Sequence, residues 1–181
     1  MKVAFLVFVL LSTPIFADNT SVGTSALLNN TTGNNNVAIG DSTLKNNTSG
    51  LNNTATGYFS LRDNITGKQN TSIGSYSMRY NTTGNDNTAI GFESLKYNTT
   101  GDKNTAIGNY ALQDNTTGIS NTSVGNYSLS DNSTGDKNTA IGNYSMRSNS
   151  SGNDNTSMGN YAMRNNTTGS DNTASGNYAL R

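Results

Sequence analysis

The stretch NTAIGNYALQDNTTGIS, residues 104–120, recurs with few substitutions along the chain. The aligned copies begin at Asn19, Asn36, Asn53, Asn70, Asn87, Asn104, Asn121, Asn138, Asn155 and Asn172, and the alignment needs no gap. We number the positions of this 17-residue repeat from these Asn residues and call each copy a coil. A short fixed period is typical of a solenoid or fibre, in which each unit buries apolar side chains only against its neighbours.

Each coil contains two short stretches of strand length, which in the quoted copy are residues 104–108 and 110–113. The Asn, Thr and Gly residues between them disfavour helix and suit turns. The sequence therefore predicts an all-β fold, a parallel β-solenoid or β-roll. It should have about ten coils, with two short strands and two corners in each.

The N-terminus has the pattern of a secretory signal peptide. Lys2 precedes an apolar run from Val3 to Leu11, Pro14 follows, and Ala17 stands before Asp18. The apolar run is too short to span a bilayer, and no second hydrophobic stretch follows. We expect a signal peptide over 1–17, a single repeat domain over 18–181, no membrane span, and a secreted, extracellular or cell-surface location.

The composition argues against several classes of function. Removal of Lys2 with the signal peptide leaves ten Lys and Arg against eleven Asp and Glu, so nothing favours a nucleic-acid partner. The chain has no Cys and no His, which excludes disulfides and thiolate metal sites and removes the commonest general base. We expect no catalytic residues, no bound metal and no cofactor.

Two repeat positions carry large apolar residues and are predicted to form the core. Position 4 holds Val22, Ile39, Ile73, Ile90, Ile107, Val124, Ile141 and Met158, with Thr56 and Ser175 as interruptions. Position 9 holds Leu27, Leu44, Leu61, Met78, Leu95, Leu112, Leu129, Met146, Met163 and Leu180. Side chains alternate across a strand, so the small residues at positions 3 and 8 should face outward. So thin a core predicts self-association, with this Ala/Ser stripe as the contact.

Asn at positions 1 and 12 is predicted to form stacked amide ladders along the solenoid axis. The ladder candidates are Asn36, Asn53, Asn70, Asn87 and Asn104 at position 1, and Asn81, Asn98 and Asn115 at position 12. Asn81 and Asn115 also begin Asn-x-Thr sequons, which would accept glycans in a eukaryotic secretory pathway. The abundance of Asn and Thr produces such sequons automatically. Gly at positions 5 and 15 fits corners that need positive φ or close backbone approach.

Aromatic and charged residues also recur in register. Tyr110, Tyr127, Tyr144, Tyr161 and Tyr178 occupy position 7, where they form either a sugar-binding strip or cross-strand aromatic packing, and packing is favoured. Position 10 is basic at Lys45, Arg62, Arg79, Lys96, Arg147, Arg164 and Arg181. This file is interpreted as a solvated edge that discourages edge pairing, with an anionic-glycan contact as the alternative. Acidic residues near the loop end lack the spacing of calcium-binding coils.

The segment Asn36-Val-Ala-Ile-Gly40 and the NTAIG stretches that begin at Asn87, Asn104 and Asn138 resemble the head repeats of YadA-type trimeric autotransporter adhesins. The full repeat over 19–181 looks still more like repeats of bacterial and phage tail-fibre proteins. The resemblance implies a left-handed parallel β-roll, three chains side by side, and attachment to host surfaces or matrix proteins such as collagen. Collagen binding carries over only to Asn36 through Gly40. No stalk, membrane barrel or self-cleaving domain of those families is recognisable, so autotransport does not carry over.

Three hypotheses of function follow. The leading one is a secreted, non-enzymatic structural or adhesive solenoid that binds a host matrix protein or glycan through a repeated face. It would self-associate as a homotrimer or, because no polar cap follows residues 172–180, as a head-to-tail filament. The alternative is an ice-binding protein with ordered Thr files, one of them at position 2. An enzyme ranks third, since no carboxylate pair can be singled out for acid and base roles.

Overall fold

The structure is a computed structural model, and it describes residues 18–181. The predicted signal peptide, residues 1–17, lies outside this range. Each coil contributes one three-residue strand: β1 Thr20–Val22, β2 Val37–Ile39, β3 Thr54–Thr56, β4 Thr71–Ile73, β5 Thr88–Ile90, β6 Thr105–Ile107, β7 Thr122–Val124, β8 Thr139–Ile141, β9 Thr156–Met158 and β10 Thr173–Ser175. No helix in the described range could cross a bilayer.

The ten strands form one parallel sheet in chain order, and each strand pairs with the strand of the next coil. The register is constant: Thr105 pairs with Thr122 and Ile107 with Val124, so every repeat position stacks on its own equivalent. The predicted all-β parallel solenoid is thereby confirmed.

The second predicted strand of each coil is not a strand among the described residues. Residues 110–113 form a turn in which Tyr110 (φ 59°) and Leu112 (φ 51°) adopt left-handed backbone conformations. The Tyr110 N–H donates to the Phe92 carbonyl of the preceding coil at 2.9 Å, and the Leu112 N–H donates to the Ser128 carbonyl of the next coil at 3.0 Å. Alternate N–H groups of the turn therefore donate to the preceding coil and to the next coil. These hydrogen bonds stack the turns in place of a second sheet.

The predicted core is half wrong. Leu112 at position 9 is fully buried, as expected, but Ile107 at position 4 is 38% exposed and the small Ala106 at position 3 is fully buried. The same holds along the solenoid. The reason is the alternation of side chains across a strand: buried Asn104 at position 1 places position 3 inside and positions 2 and 4 outside.

The coil interior is narrow, which explains why positions 3 and 8 accept only small residues. The two positions meet inside the solenoid, where the Ser60 hydroxyl lies 2.8 Å from that of Ser72, and the Ser145 hydroxyl lies 2.7 Å from that of Ser157. All four serines are fully buried. The predicted Ala/Ser contact stripe is therefore interior, and self-association through it is ruled out by the packing.

The corner glycines are needed for both reasons predicted from the sequence. Gly108 has φ +132°, and a Cβ there would lie 2.4 Å from the carbonyl oxygen of Gly125 in the next coil. At the other corner, a Cβ on Gly118 would lie 2.5 Å from the carbonyl oxygen of Gly135 in the next coil. Both distances are far below van der Waals contact, so consecutive coils can approach only where both corners lack a side chain.

Both asparagine ladders are present in the structure. At position 1 the Asn104 side chain donates to the Gly118 carbonyl at 2.8 Å, while its oxygen accepts from the backbone N–H of Asn121 at 3.0 Å. At position 12 the Asn115 amide donates to the amide oxygen of Asn98 at 2.8 Å and to the Gly118 carbonyl at 3.1 Å. The fully buried ladder members include Asn36, Asn53, Asn70, Asn81, Asn87, Asn98, Asn104 and Asn115. The asparagines of the sequons at Asn81 and Asn115 are thus buried in the packed interior.

Candidate binding surface

The outward side of the sheet carries two parallel files of side chains. We call the side chains at positions 2 and 4, from Thr20 to Ser175, the Thr/Ile face. None of them is charged, and the position-4 side chains are among the most exposed large apolar groups. Within the described range, the position-2 threonine hydroxyls make no hydrogen bond to protein. The face therefore offers a row of aliphatic groups beside a row of free hydroxyls.

Sequence reasoning missed the exposed aliphatic file because it assigned position 4 to the core. A signal that identifies it was nevertheless present. Asn at position 1 was predicted to form a stacked amide ladder, and residues two apart on a strand share a side, so a buried ladder requires a buried position 3. Applied to Asn104, this rule puts Ala106 inside and Ile107 outside, as observed.

The five tyrosines predicted as a site stack into a continuous ladder. Ring centroids of consecutive members, from Tyr110 to Tyr178, lie 4.5, 5.2, 5.0 and 5.1 Å apart, with interplanar angles of 11° or less. Upstream, Phe92 meets Tyr110 edge-on at 80°, so the parallel stack begins at Tyr110.

The stacking favours packing over a sugar-binding strip as the interpretation of these tyrosines. A sugar-binding strip needs ring faces that are open to the ligand, whereas here each internal ring is covered on both faces by its neighbours. Only the ring edges remain accessible between Tyr127 and Tyr161. The ladder is thus a scaffold along one side of the turn.

Basic side chains at position 10 lie over this ladder. The Arg147 guanidinium carbon is 5.6 Å from the ring centroids of both Tyr127 and Tyr144, and that of Arg164 is 5.4 Å from Tyr161. Arg181 lies 5.3 Å from Tyr178. These are cation–π distances, so the arginines are held against the rings instead of extending freely into solvent.

Toward the N-terminus two members of the same basic file, Arg62 and Lys96, form ion pairs. Arg62 hydrogen-bonds through Nε to the Asp63 carboxylate at 2.8 Å and forms an ion pair with it, and this hydrogen bond raises the pKa of Arg62. Lys96 pairs with Glu93 at 3.0 Å. Lys45 and Arg79 of the same file have no ion pair among the described residues.

Carboxylates also gather at the middle coils. Partial burial raises the pKa of Asp114, and the charges of Asp131 and Glu93 raise it further, against the opposing effect of Lys96. At this level the position-10 file holds Gln113 and then Ser130, whose hydroxyl donates to Asp131 at 2.6 Å. The basic file is therefore interrupted by an acidic patch halfway along the solenoid.

The loop corner forms an open polar groove of about 780 Å³. It is lined by Thr66, Thr83 and Thr100 together with Lys68, Asp86 and other polar residues. Across residues 18–181 no group of three or more His, Cys, Asp or Glu side chains could hold a metal ion. The groove thus offers hydroxyls and amides to a ligand.

The segment from Asn36 to Gly40, which carries the resemblance to adhesin heads, forms strand β2 and its corner. Asn36 and Ala38 are buried, while Val37 is half-buried and Ile39 is exposed. Any contact made by this segment therefore involves its outward Val37 and Ile39, which belong to the Thr/Ile face.

Comparison of the chain with protein-family models, with curated proteins and with solved structures gave no match in any of the three.

Proposed function

We propose that this protein is a secreted, non-enzymatic structural or adhesive solenoid that acts through faces repeated from coil to coil. The observation that supports this most directly is the Thr/Ile face, a regular, uncharged, partly apolar surface along the sheet. Contiguous exposed apolar surface on a soluble protein usually marks an interaction site.

A second copy of the same chain is the partner that fits this face. Its aliphatic groups repeat at the strand spacing of about 4.8 Å, so a partner with the same axial repeat can match the file over its whole length. The absence of charge at positions 2 and 4 means that no like charges oppose each other when two faces meet. Chains would associate side by side, as the resemblance to trimeric adhesin heads implies.

The size of the face indicates how far the contact must extend. Ten strands of three residues give a strip about 45 Å long and about 10 Å wide, or about 450 Å² per chain. A standard stable interface buries about 800 Å² per partner. The flanking corners must therefore join the contact, and a trimer, in which each chain meets two others, provides this more readily than a single flat pairing.

The test is the mass of residues 18–181 in solution, measured by light scattering coupled to size exclusion. We expect a mass of at least two chains, with three chains as the form that the interface area favours. Replacing Ile90 and Ile107 with Thr should yield single chains, because it removes the aliphatic file at its centre. Thr already occurs at this position in coil 3, as Thr56, so the fold should tolerate the change.

The matched control replaces Ile65, an exposed isoleucine further from the strands, with Thr. This variant should keep the wild-type mass. A single-chain mass for the wild-type protein at all concentrations would refute self-association through the face. A broad, concentration-dependent mass that Ile90→Thr/Ile107→Thr leaves unchanged would point to head-to-tail filaments instead.

Ice binding is the second candidate, and one observation favours it. The sequence left open whether the position-2 threonines face inward, and the structure places them outward beside the aliphatic file, as in Thr105 and Ile107. Their hydroxyls and methyl groups stand in register on nine of the ten parallel strands, since β2 has Val37 at this position. Such an array can order water in contact with it.

Both functions use the same face, so mutation of the face alone does not distinguish them. Measurement of thermal hysteresis does, because only ice binding produces it. A single-chain wild-type protein with thermal hysteresis above that of an inert control protein would support ice binding, and Thr105→Tyr/Thr122→Tyr should abolish it. An oligomer that adheres to matrix or glycan surfaces and shows no hysteresis supports the structural and adhesive function.

A further inference from the structure

The C-terminal coils carry a charged edge in which three consecutive coils, 8 to 10, have Arg at position 10. We call it the Tyr/Arg edge: the stacked rings of Tyr127, Tyr144, Tyr161 and Tyr178 with the guanidinium groups of Arg147, Arg164 and Arg181. Among the described residues, Arg164 and Arg181 have no carboxylate partner, and Arg147 has only Asp131 at 3.9 Å.

The flanking positions add no negative charge. In coils 8 and 9, position 11 is Ser148 and then Asn165, and position 6 is Asn in all three coils. The only carboxylates of residues 138–181 are Asp154 and Asp171, which lie at the corner before the strands. The edge is therefore a row of like positive charges at coil spacing, and its one ion pair among the described residues is the 3.9 Å contact between Arg147 and Asp131.

The stacked rings fix the positions of these charges. Each guanidinium lies over a tyrosine ring. The guanidinium carbon of Arg147 is 5.6 Å from the Tyr127 ring centroid, and that of Arg181 is 5.3 Å from the Tyr178 ring centroid. The buried Nε of Arg147 has no hydrogen-bond partner in the described protein. Arginines held in this way lose less side-chain entropy on binding, and their planar groups match a carboxylate with two parallel hydrogen bonds.

From this edge we infer a further binding site, for a linear polysaccharide that carries carboxylates. A polymer with carboxylates at monomer-length intervals can satisfy successive guanidinium groups along the solenoid axis. Nucleic acid fits less well, because single strands bind by stacking bases on open aromatic faces, and here the internal ring faces are covered. The inference rests on the proposed adhesive function and names the ligand class of one face.

The experiment is calorimetric titration of residues 18–181 with polygalacturonate, with neutral dextran as the uncharged comparison. We expect the polyuronate to bind and dextran not to bind. Arg147→Gln/Arg164→Gln should weaken binding at least about tenfold, because it removes two charge-assisted hydrogen-bond forks. Gln already occurs at this position as Gln113, so the fold should accept the change.

The matched control is Lys103→Gln/Lys137→Gln, which removes the same net charge from exposed residues at the opposite corner. It should change the affinity less than about twofold, as expected for distant charges in physiological salt. Arg147→Lys/Arg164→Lys keeps the charge but not the fork and should fall between the wild type and the Gln variant. This second variant tests the site even if the Gln variant fails to fold.

Several results would overturn the inference. One is that polygalacturonate does not bind at all, and another is that a sulfated polysaccharide without carboxylates binds in its place. Arg147→Gln/Arg164→Gln and the control Lys103→Gln/Lys137→Gln weakening the binding equally, or oligothymidylate binding more tightly than polygalacturonate, would also refute the site. The outcome is separable from that of the proposed self-association. Ile90→Thr/Ile107→Thr leaves the Tyr/Arg edge intact, so its single chains should still bind polyuronate, whereas the Arg variants should keep the wild-type mass.

Discussion

Truncating one member of an asparagine ladder, Asn104→Ala, should destabilise the whole solenoid. The Asn104 amide nitrogen donates to the Gly118 carbonyl at 2.8 Å and, more weakly, to Asn87 at 3.2 Å. Its oxygen accepts from the backbone N–H of Asn121 at 3.0 Å and from that residue's side chain at 3.2 Å. All three asparagines are fully buried.

The magnitude follows from which groups lose every partner. The Gly118 carbonyl still accepts from Asn115, and the Asn121 side chain still donates to Gly135. The backbone N–H of Asn121 is left buried without an acceptor, which costs about 1–3 kcal/mol, and the strong bond to Gly118 adds about 1 kcal/mol. We expect the free energy of unfolding to fall by about 3 kcal/mol, a substantial share of the roughly 5–15 kcal/mol that is typical of a whole domain.

The assay is urea unfolding of residues 18–181 followed by far-ultraviolet circular dichroism. The matched control is Asn126→Ala, since Asn126 is exposed and its side chain makes no hydrogen bond within the described range. The control should change the free energy of unfolding by less than about 0.5 kcal/mol. If the two variants differ by less than this amount, the ladders contribute little and the reasoning fails.

Three other substitutions test the core, the corners and the charge. Leu112→Ala should cost about 2–5 kcal/mol and Ile107→Ala clearly less, in urea unfolding of dilute single chains, because Leu112 is fully buried and Ile107 is not; equal costs would contradict the assigned core. Gly108→Ala should abolish the cooperative β-sheet signal in circular dichroism, since its φ is +132° and a Cβ would meet a carbonyl oxygen at 2.4 Å; a wild-type melting temperature would exclude this. Asp114→Asn should raise the melting temperature at about pH 7 and not at about pH 3. Partial burial and the Asp131 charge raise the pKa of Asp114, so its ionised form destabilises the fold once the pH rises through that pKa. An unchanged or lower melting temperature at neutral pH would show that the carboxylate is not destabilising.

The solenoid and its two amide ladders could be predicted from the sequence because they follow from period and register alone. An ungapped 17-residue repeat places each residue next to its own equivalents, so Asn104 must lie near Asn87 and Asn121 whatever the course of the chain within a coil. The tyrosine ladder follows for the same reason. These predictions needed no knowledge of backbone angles.

The course of the chain within a coil could not be predicted, because it depends on unusual backbone angles. Tyr110 and Leu112 both have positive φ, although a residue with a bulky side chain is disfavoured in that conformation. No propensity argument would place two such residues in one turn. Cooperative stacking on the neighbouring coils holds them there, with hydrogen bonds from both N–H groups to adjacent coils.

The two outward strand positions show why an apolar partner is the best explanation of the Thr/Ile face. Both belong to the same strands and both favour β-branched residues, yet position 2 is Thr in nine of ten coils, whereas position 4 is Val, Ile or Met in eight. Strand propensity cannot produce this difference, since Thr and Ile both suit strands. The hydrophobic effect opposes an aliphatic residue at position 4. Ile107 is 38% exposed and leaves apolar surface in water, whereas a Thr there would present a hydroxyl to the water. The aliphatic file therefore supports the proposed contact between chains, which would remove it from water, and the mass of the Ile90→Thr/Ile107→Thr variant tests that contact directly.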